Sequence, residues 1–244
     1  KKFIAEQELH AEKRYIPEII NQRGIGKELP QKIAVIGAGP AGMSAAFYLR
    51  KMGYPVTVFE KEKRPGGMLV NGIPSFRLEK NVIDAEIDVL RQMGVEFKCG
   101  VEVGCDVTIQ QLREEGYQAF YVAIGAQGGR KTGVPGEDAD GVVTGVEFLK
   151  AVNLDEENTK LSGRTVVVGG GNVAVDVART ALRAGASEVS MYCLESRDIM
   201  PAAKDEVEEA EEEGIAVNNS WGPKEILTEN GKVTGIVFKK CTSV

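Results

Sequence analysis

Lys32 to Glu60 reads KIAVIGAGPAGMSAAFYLRKMGYPVTVFE, and its pattern changes twice along the way. KIAVIG is a nearly continuous apolar run, the composition of a parallel strand buried on both faces. AGMSAAFYLRKMG carries helical spacing and stops at Gly53, and VTVFE is a second strand. Gly37, Gly39 and Gly42 supply G-x-G-x-x-G at the junction of strand and helix. The first glycine makes the tight turn, the second lets backbone approach a pyrophosphate, and the third lets helix pack on strand. The helix N-terminus then presents unpaired N–H groups and a positive dipole end to phosphate. Glu60 closes the second strand, 23 positions after Gly37, where a carboxylate accepts hydrogen bonds from ribose hydroxyls.

A related unit, TVVVGGGNVAVDVARTALRAGASEVSMYCLE, runs from Thr165 to Glu195. Gly169, Gly171 and Ala174 give G-x-G-x-x-A, and alanine suits the third position because only close packing is asked of it. Glu195 ends this unit's second strand, and Arg197 lies two residues on. A carboxylate facing the ribose favours a free 2′-hydroxyl, whereas Arg197 would pair a 2′-phosphate. Two such units in one chain predict an α/β protein with two Rossmann-like dinucleotide-binding domains. One would hold a flavin as FAD, and the other would present a nicotinamide to it for hydride transfer.

Composition agrees with this reading. At 244 residues the chain exceeds one ordinary domain, and 43% apolar residues suffice for a sizeable core. The net charge of −6 offers no basic surface for nucleic acid. Cys99, Cys105, Cys193 and Cys241 are scattered and form no C-x-x-C, so no zinc ribbon, dithiol motif or iron–sulfur ligand set is expected within the chain. No apolar run reaches the roughly 18 residues of a membrane span and no signal peptide is visible. The expectation is a cytoplasmic protein that engages neither membrane nor nucleic acid. The chain begins at Lys1 in what reads as mid-helix and ends in CTSV just after a strand, which suggests a cut fragment.

Residues 1–29 are expected as a polar amphipathic helix interrupted at Pro17 and stopped by Gly24. The Gly/Pro-rich stretch RPGGMLVNGIPSFRL precedes a helix, EKNVIDAEIDVLRQMG, then the strand VEFKCGVEVG, a short helix and the strand AFYVAIG. GVPGEDADGV reads as a turn-rich crossing. The domain expectation is therefore a helix or linker over 1–30, a first domain over 31–135 and a second over 136–244. Asp205–Glu213 reads as the solvated face of a surface helix, and PKEILTENGKVTGIVFKK as a hairpin about ENGK.

These motifs resemble the two-dinucleotide flavoprotein superfamily, and closely its glutamate synthase small-subunit branch. GAGPAG with VFEKEKRPGGML, NGIPSFRLEK, YVAIGAQGGR, GGGNVAVDVAR and MPAAKDEVEEAEEEGI carry the resemblance across nearly the whole chain. It implies FAD contacts at Gly37, Gly39, Pro40, Ala41, Gly42, Glu60, Gly67, Met68, Arg77 and Val103. Arg64 or Arg77 would neutralise pyrophosphate charge, and Gly125 lies in the turn where the chain crosses between the domains. Nicotinamide-nucleotide contacts are implied at Gly169, Gly171, Asn172 and Val173. The family also carries an N-terminal cysteine-rich domain for iron–sulfur clusters, of which only a helix resembling its last turns is present. Its returning FAD segment with a G-D motif is not found before CTSV, so the FAD domain is expected to be incomplete at its C-terminal end in this stretch. Its paired arginines are replaced by CLES, Cys193 to Ser196, so NADH rather than NADPH is the expected donor.

The function implied is electron input: hydride passes from NAD(P)H to FAD, and electrons go on through iron–sulfur clusters outside this chain to a partner subunit, as in glutamate synthase. Related bifurcating, sulfide-linked or hydrogenase-linked subunits are the alternative. A thioredoxin-reductase-like enzyme lacks its C-x-x-C here, and a non-catalytic dinucleotide module is a further reading. No residue stands out as a catalytic acid, base or nucleophile, and no metal site is expected.

Overall fold

The computed structural model describes residues 2–155 and 157–242; the terminal Lys1, Ser243 and Val244 lie outside the described residues. The chain divides into two compact units, Lys1–Ala126 and Gln127–Val244.

The first unit begins with helix α1 (Lys2–Leu9) and two short antiparallel strands, β1 (Ile20–Asn21) and β2 (Gly24–Ile25). It continues through β3 (Lys32–Ile36), α2 (Pro40–Lys51), β4 (Val56–Glu60), α3 (Met68–Asn71), α4 (Lys80–Gln92), β5 (Glu96–Cys99), α5 (Ile109–Glu114) and β6 (Tyr117–Val122). The sheet order is β5-β4-β3-β6, with parallel pairing throughout. Successive strand residues face opposite sides, and both sides are covered. Val35 and Val58 pack with Ala46 of α2 and Leu90 of α4, while Ala34 and Phe59 pack with Leu112 of α5 and Tyr117. That is why β3 reads as a nearly continuous apolar run.

The expected long N-terminal helix does not form. Helix α1 stops at Leu9, and Arg14 turns back to bond Glu8 at 2.5 Å, Glu86 at 2.8 Å and the Ala85 carbonyl at 2.7 Å. Asn21 donates to the carbonyls of Lys27 and Met52. Side-chain bonds to α4 and to the end of α2 outweigh helical propensity over residues 10–29. The predicted strand VEFKCGVEVG is likewise shorter, ending at Cys99 before a loop held by Gly100 N–H donating to the Glu62 carbonyl.

The second unit comprises α6 (Gly145–Leu154), β7 (Arg164–Val168), α7 (Asn172–Arg183), β8 (Glu188–Cys193), a 3-10 turn at Arg197–Ile199, α8 (Lys204–Glu212) and β9 (Ala216–Asn219). The hairpin β10 (Trp221–Glu229) and β11 (Lys232–Lys240) follows. Strands β7-β8-β9 form a parallel sheet, and Val175, Ala178 and Ala181 of α7 pack with Val167, Val189 and Met191 beneath it. Asn230 and Gly231 both take positive φ (52° and 78°), the conformation of a two-residue hairpin turn, so ENGK performs the turn its sequence predicts. The units divide earlier than residue 135, because Pro135 and Asp140 belong to the second one. Ile226 N–H donates to the Pro135 carbonyl at 2.9 Å, and Asp140 N–H to that of Gly231 at 2.9 Å.

Candidate functional site

The β3–α2 turn sits at the C-terminal end of the first sheet. Gly37 takes φ 103°, and a Cβ there would overlap the Ala123 carbonyl oxygen. A Cβ on Gly42 would overlap the Gly37 carbonyl oxygen. Helix, turn and the end of β6 are therefore in backbone contact, and side chains are excluded from two of the three glycines.

Gly39 is different. Its φ and ψ of −74° and −179° are open to any residue, and the nearest protein atom to a Cβ there would be the Gly67 Cα at 3.9 Å. Facing it, Gly67 takes φ 56°, and a Cβ on that residue would sit 2.7 Å from the Gly39 Cα. Gly66 N–H donates to the Ala38 carbonyl at 2.9 Å, which binds this second glycine loop to the first. The result is a cradle of bare backbone at the start of α2, a helix with Pro40 in its first turn and no side-chain cap. Its leading N–H groups are free for an anion. This suits a pyrophosphate: backbone donors, helix-end polarity and no obstructing side chain.

Glu60 is buried and closes the turn from below. One carboxylate oxygen accepts from Ala38 N–H at 2.7 Å and the other from Glu62 N–H at 2.9 Å. Each oxygen retains one further lone-pair direction for a ribose hydroxyl. Pro40, Ala41 and Gly42 lie in the first turn of α2, and Met68 begins α3 directly after Gly67.

The remaining predicted residues take other surroundings. Arg64 pairs with Asp84 of α4 at 2.6 Å. The Arg77 guanidinium lies over the Phe76 ring. Val103 bridges to Val107 and packs against the cluster of Ala34, Phe59, Leu112 and Tyr117. Gly125, with φ 71°, is exposed two residues beyond the Ala123 carbonyl. Lys80, to which sequence reasoning gave no role, donates to the carbonyls of Leu69 (3.1 Å) and Ile73, fastening the loop that follows Gly67. Burial, reinforced by nearby Arg64, lowers its pKa.

In the second unit, Gly169 N–H donates to the Tyr192 carbonyl at 2.9 Å, and a Cβ at Gly169 would stand 3.1 Å from the Ala174 Cβ. The Ala174 methyl therefore packs directly against the Gly169 backbone. Gly171 opens α7 without a side-chain cap and has nothing within 4 Å of its Cβ direction. Val173 is exposed. Asn172 is committed to the protein: its Oδ1 accepts from Ala203 N–H at 2.8 Å, tying the start of α8 to the start of α7.

Glu195 reaches the turn. Its Oε2 would lie 2.8 Å from a Cβ on Gly170, and the Cys193 Cβ would be equally close at 2.9 Å. Sequence reasoning counted Gly169 and Gly171, but Gly170 is the one pressed by β8, a contact visible only across strands. Glu195 is held by its backbone, where the carbonyl accepts from Ser220 N–H (3.0 Å) and Asn219 Nδ2 (3.3 Å). Its carboxylate has no hydrogen-bond partner among the described residues. Burial, then the Glu195 charge, pushes the adjacent Cys193 thiol pKa up, keeping it protonated and inert. Arg197 is engaged in two parallel 2.7 Å bonds to Glu211 of α8, which raise its pKa further.

Among the described residues no helix is long and apolar enough to cross a membrane, and no group of three or more His, Cys, Asp or Glu is placed to hold a metal.

A model of the family described as pyridine nucleotide-disulphide oxidoreductase matches residues 31–243. The NADP(+)-dependent formate dehydrogenase subunit beta of Moorella thermoacetica is 44% identical over 84% of this chain and 29% of its own length. The NAD-dependent dihydropyrimidine dehydrogenase subunit PreT of Escherichia coli K12 is 37% identical over 91% of this chain and 54% of its own. The glutamate synthase [NADPH] small chain of the same strain is 37% identical over 86% and 47%. The chain thus spans about half or less of these relatives. Among solved structures, Mycobacterium tuberculosis FprA in complex with NADPH aligns with a TM-score of 0.73 over 87% of this chain and 64% of that one, at 22% identity, a likeness of fold.

Proposed function

Because the chain belongs to the pyridine nucleotide-disulphide oxidoreductase family, we propose that its first unit binds FAD at the Gly37–Gly42 turn and its second binds a nicotinamide dinucleotide at the Gly169–Ala174 turn. The observation that carries this reading is the Gly39–Gly67 cradle: two bare backbones facing one another at an uncapped helix start, with the buried carboxylate of Glu60 beneath. FAD, when bound, supplies the redox chemistry by accepting a hydride from the reduced nicotinamide. The chain's own residues bind and orient. Ala41 and Gly42 N–H groups face the pyrophosphate, and Glu60 offers its spare lone pairs to the ribose while keeping the turn in place. Lys80 fixes the loop beyond Gly67. In the second unit Gly171 leaves room for the dinucleotide's phosphates, and Glu195 accepts from both ribose hydroxyls, favouring NADH.

Within the family, we read this chain as the electron-input part of a multi-subunit oxidoreductase resembling the glutamate synthase small chain. Electrons would leave through iron–sulfur clusters carried elsewhere in the protein to a partner subunit. The named relatives include subunits of formate and dihydropyrimidine dehydrogenases, so an electron-input subunit of such an enzyme is the second reading.

Gly39→Val tests the first assignment cleanly. The backbone there is ordinary and the protein leaves space for a Cβ, so the variant should fold while its side chain fills the pyrophosphate's place. Made in the intact protein from which this stretch comes, the variant is expected to be folded and colourless beside a yellow parent that NADH bleaches. A folded Gly39→Val protein with the parent's flavin content sinks the assignment.

A further inference from the structure

Resting on the nicotinamide-nucleotide reading of the second unit, we propose that Glu211 is a specificity-determining residue: by capturing Arg197, it withholds from this site an arginine that would otherwise be free to accept a 2′-phosphate. Cofactor choice then depends on a residue of α8 that is 14 positions beyond Arg197 in sequence.

The Oε2 of Glu195 stands over Gly170, and a carboxylate in that place offers its lone pairs to ribose hydroxyls. Two residues on, Arg197 opens the 3-10 turn that follows. An arginine close to the ribose acid is how a dinucleotide fold accommodates 2′-phosphate. Sequence alone therefore leaves two opposed signals, acid against arginine.

The structure decides between them by geometry. Both Nη1 and Nη2 of Arg197 donate to the two oxygens of Glu211 at 2.7 Å, a bidentate pairing that occupies the same fork a phosphate would use. The negative field of Glu208 reinforces that hold. A 2′-phosphate would have to displace Glu211 and then settle among Glu195, Glu208 and the displaced carboxylate. The loop itself is braced against rearrangement. Ser220 N–H and Asn219 Nδ2 fix the Glu195 carbonyl, Ala202 N–H bonds the Gly170 carbonyl at 3.0 Å, and Ala203 N–H bonds Asn172. Arg197 is thus held on α8 from a frame anchored at both ends.

The pair is partly exposed, at 44% for Arg197 and 40% for Glu211, so its removal should leave the fold intact. The test is equilibrium binding by titration calorimetry to the intact protein, using ADP-ribose and its 2′-phosphorylated form, neither of which carries nicotinamide. Parent protein should prefer ADP-ribose. Glu211→Gln should tighten the 2′-phosphorylated ligand on the order of 10–100-fold, the worth of a freed charge-assisted pair, with ADP-ribose affinity unchanged. Arg197→Ala in the Glu211→Gln background should abolish the gain, whereas Arg197→Ala alone should change discrimination little. Glu211→Ala provides a second variant with the same expectation. Binding of both ligands with a ratio unmoved by either Glu211 variant overturns the capture proposal and leaves the dinucleotide reading standing. Failure of the parent to bind either ligand overturns that reading, and the proposal with it.

Discussion

Glu60 ends β4, whereas β8 stops at Cys193 and Glu195 lies two residues beyond it rather than closing the strand; each acid stands beside a glycine turn, and the protein holds them in opposite ways. Glu60 is buried with both oxygens bonded to backbone N–H groups of its own loops. Glu195 is fixed through its main-chain carbonyl, and its carboxylate is left over. One acid is part of the turn's construction as well as a ribose acceptor; the other is purely available. The glycines show a related contrast. At Gly42 helix and turn meet backbone to backbone, whereas at the corresponding Ala174 the second turn leaves room for a methyl group. The first turn is thus the tighter of the two, and it should be the less tolerant of change.

The largest effect expected from that difference is at the third glycine. A methyl on Gly42 overlaps the Gly37 carbonyl oxygen, a backbone atom that cannot swing aside. Gly42→Ala should therefore cost about 3 kcal/mol or more, at the upper end of overpacking effects. The converse change, Ala174→Gly, removes a methyl from the first turn of α7 and should cost only about 1 kcal/mol. Denaturant unfolding of the two variants measures the ratio. Equal costs would mean that the first turn relaxes as easily as the second.

Next come the acids. Gln at position 60 can accept from Ala38 N–H or Glu62 N–H but must turn its amide donor toward the other. Glu60→Gln should therefore lose about 1–3 kcal/mol of stability through one buried, unmatched donor. Glu195→Gln leaves no donor unmatched within the protein and should stay within about 0.5 kcal/mol of the parent. Its consequence belongs to function: Glu195→Ser should shift the NADH-to-NADPH ratio of kcat/KM by about 5–150-fold toward NADPH. An unchanged ratio would show that Glu195 does not read the ribose.

The unequal legibility of these features has a physical cause. The two βαβ units, the glycine turns and the ENGK hairpin are specified by residues adjacent in sequence, because turn geometry and burial period are local properties. Residues 10–29 depart from the helix their pattern predicts because Arg14 makes its bonds to Glu86 and Ala85, far along the chain. The same holds within the candidate site. Gly37, Gly42, Glu60 and Gly67 could be named from motif and resemblance. The pressure of Cys193 on Gly170, the Lys80 fastening and the Arg197–Glu211 pairing arise from elements brought together only by folding.

The smallest expected effect again compares the units, through an arginine that each surrounds with two acids. In the first, Arg14 joins Glu8 and Glu86; in the second, Arg179 joins Glu209 at 2.6 Å and Glu213 at 2.6 Å, and Arg183 adds a further bond to Glu213 at 2.7 Å. The two guanidiniums, Arg183 foremost, hold the Glu213 carboxyl down at about 2 against an ordinary 4.5. Glu8, bonded by Arg14, is lowered in the same sense. The folded-state pKa of Glu213 lies below the unfolded one, so folding gains from its ionisation at any pH above about 4.5. That gain declines as pH falls from there toward 2, because the unfolded chain takes up the proton first. Partial exposure of the α7–α8 cluster screens the interaction. A urea midpoint followed by amide protection in α7 and α8 should therefore fall by only on the order of a few tenths molar between pH 5 and pH 3 on this account. Glu213→Gln, which cannot ionise, should lower the midpoint at pH 5 and flatten its decline toward pH 3. If the variant keeps the parent's full pH dependence, the acid sensitivity of this unit lies in other carboxylates, and Arg179 is held mainly by Glu209.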